Sequence, residues 1–121
     1  MGNRAHYQDY AQIAGADVLT TISLAVAPIN QKLVLTHITV VNDTTAMDEI
    51  LIQKIVGADT VTMAQEVGPT LVGQTYWYIN DIICNNGEHV QIKLSGTLLN
   101  DVIRYYVDGY YESNVAWETA L

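Results

Sequence analysis

Val90, Ile92 and Leu94 alternate without a break with His89, Gln91 and Lys93. A period of two places all three apolar side chains on one face of an extended strand, whereas a helix would scatter them around its axis. This pattern constrains the chain most, and it recurs. Ile103, Tyr105 and Val107 alternate with Arg104, Tyr106 and Asp108, and Thr20, Ile22, Leu24 and Val26 line one side of VLTTISLAV (18–26). KLVLTHITVV (32–41) is apolar almost throughout and reads as a central strand covered on both faces. EILIQKIV (49–56), TVTMAQ (60–65) and QTYWYINDIIC (74–84) complete a set of about seven strands.

Turn residues fall between these runs at roughly ten-residue intervals, the spacing of a sandwich or small barrel. Pro28 ends one strand because it has no N–H to give to a ladder. Asn86-Gly87 is the favoured pair for a type I′ hairpin turn, in which both central residues take positive φ, so 80–96 reads as a hairpin. No segment has helical periodicity. The expected fold is all-β: one antiparallel β-sandwich, jelly-roll-like, over residues 17–112. Residues 1–16 lack clear periodicity and read as an extended N-terminal arm, and residues 113–121 as a C-terminal tail.

Composition narrows the function. The net charge is −8, and the five basic residues are scattered singly. Counterion release from a nucleic acid needs clustered Lys and Arg, so no nucleic-acid partner is expected. No apolar run approaches the ~20 residues that span a bilayer, and MGNRAHYQDY lacks the apolar core of a secretory signal. Cys84 is single, which leaves no partner for an intrachain disulfide.

Catalytic constellations are missing. His6, His37 and His89 are far apart and lack metal-ligand spacing. Asp48 and Glu49 are neighbours, which a strand sends to opposite faces. No serine stands in a nucleophile elbow, and the glycines mark turns rather than a phosphate loop. We therefore expect no catalytic residue, no cofactor and no metal, and not an enzyme.

The aromatic residues are the strongest functional signal. Phe is absent, while Tyr occurs eight times and Trp twice. Consecutive rings in Tyr76-Trp77-Tyr78 and Tyr105-Tyr106 must point to both faces of their strands. With Tyr105 facing the core, Tyr106 and Tyr110 face outward. Exposed rings favour a partner surface, protein or sugar. The expected contact residues are Tyr106 and Tyr110, with Tyr7 and Tyr10 on the N-terminal arm and Trp117 on the tail.

LVLTHITVVNDTT (33–45), DIICNNGEHVQIKLSG (81–96) and YYVDGYYE (105–112) together resemble small β-sandwich structural proteins of tailed bacteriophages. The likeness lies in the order of strands and turns over roughly residues 20–112. The chain departs from it at APINQK (27–32), where that family often has a VP-x-G entry. The resemblance implies a non-enzymatic virion component made in the host cytoplasm. It would be a capsid decoration or cement protein, sitting as homotrimers on the major capsid protein, or a neck or tail accessory protein. A carbohydrate-binding module with a glycan ligand is the competing class.

Overall fold

The structure is a computed structural model and describes residues 4–113, all of whose regular elements are strands. In chain order these are β1 (Arg4–Ala14), β2 (Val18–Ser23), β3 (Gln31–Asn42), β4 (Glu49–Val56), β5 (Asp59–Val67), β6 (Thr75–Tyr78), β7 (Ile82–Cys84), β8 (His89–Thr97) and β9 (Val102–Ser113). They form two antiparallel sheets. The first has the order β1-β9-β3-β6, with β7 also on β3, and the second the order β2-β8-β4-β5.

With β6 and β7 taken as one interrupted strand, the first strand pairs with the last, the second with the next to last, and so inward to the β4–β5 hairpin. Such a nested ribbon, rolled so that its two edges meet, is the jelly roll.

Core residues come from the alternate positions that the sequence marks. Leu33, Leu35, Ile38 and Val40 of β3, Ile50 and Ile52 of β4, Val90, Ile92 and Leu94 of β8, and Ile103 and Val107 of β9 are all buried between the sheets. Burial of such side chains contributes about 1.5–3 kcal/mol each. Thr36 is an extra residue in β3, between Leu35 opposite Gly109 and His37 opposite Asp108. At that bulge the strands approach so closely that a Cβ on Gly109 would lie 2.1 Å from the Val34 carbonyl oxygen.

Four expectations are corrected. Residues 4–14 are not an arm: they are a full edge strand, in register with β9 from Arg4↔Glu112 to Ala14↔Val102. The 74–84 run is two strands, β6 and β7, and the described residues form nine. Val26 is 54% exposed, because the chain turns and buries Ala27 instead.

The 80–96 segment is not a hairpin, since β7 lies in the first sheet and β8 in the second. Its turn, closed by Glu88 N–H donating to Asn85 O at 2.8 Å, carries the chain from one sheet to the other. Gly87 has φ +83° while Asn86 is not among the residues with positive φ, so the turn is not type I′. Gly87 N–H instead donates to Ala27 O at 3.0 Å, tying the corner to the segment that follows β2.

At the opposite end a polar cluster ties three loops together. Asp101, 2% exposed, accepts hydrogen bonds from Asn42 Nδ2 (3.0 Å), Thr45 Oγ1 (2.8 Å) and Leu98 N (2.8 Å). Its backbone carbonyl takes Gly15 N–H at 2.8 Å.

Candidate functional site: the outer face of the first sheet

Each strand of the first sheet presents every second side chain to the outside. On β1 these are Arg4, His6, Gln8, Tyr10 and Gln12, and on β9 Arg104, Tyr106, Asp108, Tyr110 and Glu112. Register then fixes which of them meet. Tyr10 stands opposite Tyr106, Tyr106 opposite Thr39, and Thr39 opposite Trp77, so one row crosses β1, β9, β3 and β6. A parallel row runs His6, Tyr110, Val34 and Ile83.

Tyr10 is 67% exposed and Trp77 63%. The Tyr10 and Tyr106 rings lie 6.4 Å apart, and His37 meets Tyr106 edge-on at 6.0 Å. Gln8 Nε2 donates to the Tyr106 hydroxyl at 3.0 Å, and the Arg4 guanidinium sits 4.2 Å above the Tyr110 ring. Charged groups lie at the ends of the face and, at Asp108, between Tyr106 and Tyr110. Arg104 pairs with Asp43 at 2.7 Å, His6 with Asp108, and Arg4 with Glu112 at 3.0 Å. The Arg4 hydrogen bond holds the Glu112 carboxyl below the usual carboxylate range. Two shallow hollows flank the Arg104–Tyr106 pair, one of about 430 Å³ against Tyr10 and Gln12, the other of about 250 Å³ against Thr39 and Thr75.

Every aromatic side chain among the described residues belongs to β1, β6 or β9, and none to the second sheet. The second sheet's outer face carries hydrogen-bonded polar pairs instead: Gln91 to Ser23, Gln53 to Thr62 and Gln65 to Glu49. The two faces therefore differ in their aromatic content, although Leu19 and Val67 are exposed on the second.

The structure sorts the five expected contact residues. Tyr10, Tyr106 and Tyr110 share the outer face. Tyr7 does not: it is 8% exposed, edge-on to Tyr111 at 5.5 Å, with its hydroxyl pushed up to about 12 by burial. Once 4–14 is a strand, alternation sends Tyr7 inward. Trp117 lies outside the described residues. Trp77, which is not among the five, shares the outer face as well; its place between Tyr76 and Tyr78, both packed against the core, is the alternation that marks it as outward.

A hollow of about 510 Å³ between the 66–70 segment and β6 has Glu66 as its only acidic lining residue and no His or Cys. Among the described residues no three His, Cys, Asp or Glu are placed to hold a metal ion, and no helix is long and apolar enough to cross a membrane.

No family model matches the sequence, and no curated protein does either. Solved structures give similarity at low identity. A protein of Bacillus endospore appendages, described as disulfide-linked pili, is 14% identical at TM-score 0.45, over 93% of this chain and 91% of that one. A pentameric capsid protein from metagenomic phage sequences is 18% identical at TM-score 0.36, over 86% of this chain and 61% of that one. A chain of infectious bursal disease virus, Gt strain, is 12% identical at TM-score 0.37, over 92% of this chain and 32% of that one. Likenesses this weak bear on neither activity nor partner. Disulfide linkage is a property of those pili; here the single cysteine, Cys84, is buried.

Proposed function

We propose that this chain is a non-enzymatic structural protein of a bacteriophage virion, a decoration or cement protein whose outer first-sheet face is covered by neighbouring subunits. The observation that carries the reading is the row Tyr10–Tyr106–Thr39–Trp77, whose end rings are exposed, on a sheet that holds every described Tyr and Trp while the other sheet holds none. Exposed rings framed by ion pairs match the make-up of an interface centre with a polar rim. The jelly roll is compatible with this role and does not decide it, since the same architecture serves lectins and small-molecule enzymes.

In this role the protein associates as homotrimers on the major capsid protein, adding buried area across subunit seams and so slowing shell opening. The test is to mix the purified protein with shells that lack it. Co-sedimentation, with a higher temperature of shell rupture, supports the reading. A protein that stays in the supernatant contradicts it.

A carbohydrate-binding reading is favoured by one observation, the hollow in which the exposed Tyr10 ring lies beside Gln12 and Arg104. Retention on immobilised glycans that is lost in Tyr10→Ala would establish it. A neck or tail position would appear as binding to assembled tails rather than to shells.

A further inference from the structure

Each sheet of an open sandwich has two edges whose backbone groups lack a neighbouring strand, and proteins blunt such edges with bulges, short strands, proline or charge. Three of the four edges here are blunted. The β6–β7 edge is broken into four- and three-residue pieces by residues 79–81. The six-residue β2 begins with a register shift at Val18, a valine held at φ +73°. At β5 a shift between Ile52 and Gln53 makes Met63 an extra residue, and the strand carries Asp59 and Glu66 with no basic residue.

The fourth edge, β1, has no bulge, no break and no proline, and its two charges, Arg4 and Asp9, cancel. It runs for eleven residues in unbroken register with β9, without proline or lysine. Within a chain of net charge −8 it is neutral, with one Arg and one Asp. Among the described residues nothing pairs with its far side.

We propose that the β1 edge pairs antiparallel with the β1 edge of a second copy of this chain, around a two-fold axis at Tyr10. Symmetry and side-chain chemistry favour that register over centring on Gln8 or Asp9. Inner and outer faces match only when the axis passes through a residue, not between two. Centring on Asp9 would set two carboxylates opposite each other, which is destabilising. Centring on Gln8 would set Tyr7 against Asp9 on the inner side. Centring on Tyr10 sets Tyr10 against Tyr10 and Gln8 against Gln12 on the outer side, and Tyr7 against Ile13 and Asp9 against Ala11 on the inner side. Aromatic pairs and aromatic–β-branched pairs are the favourable cross-strand combinations, and no like charges meet.

Pairing in this way continues the first sheet from one subunit into the next. It also joins the two aromatic rows into one: Trp77, Thr39, Tyr106 and Tyr10 of one copy, then the same four in reverse order. The inference needs only the chain itself and does not depend on the virion reading. In trimers, the same contact would link one trimer to another.

Cysteine crosslinking and native mass test it together. Cys84 is buried and gives little background. Tyr10→Cys should crosslink to a covalent dimer with a short bismaleimide, while Gln8→Cys, which faces Gln12 of the other copy and lies four residues along the strand from its own counterpart, should not. Tyr10→Lys places two ammonium groups on the axis and should halve the native mass by light scattering, whether the starting species is a dimer or a pair of trimers. Its far-UV circular dichroism should be unchanged, since Tyr10 is exposed. Crosslinking that favours Gln8→Cys over Tyr10→Cys would overturn the proposal, as would a native mass that Tyr10→Lys leaves intact. Loss of shell binding in Tyr106→Ala with the crosslink preserved would separate this contact from the outer-face interface.

Discussion

Tyr10 and Tyr106 stand directly opposite each other across β1 and β9, their ring planes inclined by 34°. A tilted pair of this kind contributes about 0.5–1.5 kcal/mol beyond the area it buries. Yet Tyr10 stays 67% exposed, so the pair is only partly accounted for by the stability of the isolated chain.

The rings should therefore matter more to binding than to folding. Tyr106→Ala and Trp77→Ala are each expected to weaken binding to the assembled partner by about 2 kcal/mol, the threshold of an interface hot spot, which is roughly thirtyfold in affinity. Each should lower folding stability by only about 1 kcal/mol. Sedimentation binding and urea unfolding, run side by side, measure the two effects.

Gly109 should behave in the opposite way. Its missing side chain lets β9 approach the β3 bulge, where an added Cβ meets backbone that cannot step aside. Gly109→Ala is expected to cost about 1–3 kcal/mol through overpacking, read as a lower urea midpoint.

Asp101 makes a prediction about pH. Burial raises its carboxyl pKa, but the hydrogen bonds from Asn42, Leu98 and Thr45 outweigh burial and hold it below the ordinary value. A carboxyl with a depressed folded-state pKa adds stability that is fully present above its unfolded pKa of about 3.9 and is lost as the pH falls through the folded value. Wild-type stability should thus fall below about pH 4 by an increment missing in Asp101→Asn. At neutral pH, Asp101→Ala should cost about 1–3 kcal/mol by stranding buried donors. Thermal unfolding of the three proteins across a pH series measures both.

Cys84 should be inert in the folded protein. It is buried, and loss of solvation pushes its thiol up to about 11, so almost no thiolate exists at neutral pH. Iodoacetamide should label it only as fast as the protein unfolds. Rapid labelling under native conditions would contradict its placement.

The strands that sequence made legible are those whose inner positions are uniformly apolar. β8, with Val90, Ile92 and Leu94 inside, is the clearest, and the outward placement of Tyr106 and Tyr110 followed from the same alternation in β9. β1 was illegible for a physical reason. Its inner positions are Ala5, Tyr7, Asp9, Ala11 and Ile13, too small or too polar to show a period, and most of its ordering comes from the ladder to β9. The Asn86-Gly87 turn misled for another reason. Turn chemistry fixes local φ and ψ, but it does not determine whether the flanking strands pair or enter different sheets. The Tyr10–Trp77 row could not be read at all, because it depends on the register of four strands distant in sequence.

Trp77 reports most directly on whether the outer face of the first sheet is covered by a neighbour. In a Trp117→Phe protein its emission is the only tryptophan signal. The account predicts that this emission moves to shorter wavelength and resists acrylamide quenching when the protein binds shells, as the exposed indole is buried. Emission that stays that of a solvated indole, with quenching unchanged in the shell-bound protein, would contradict it.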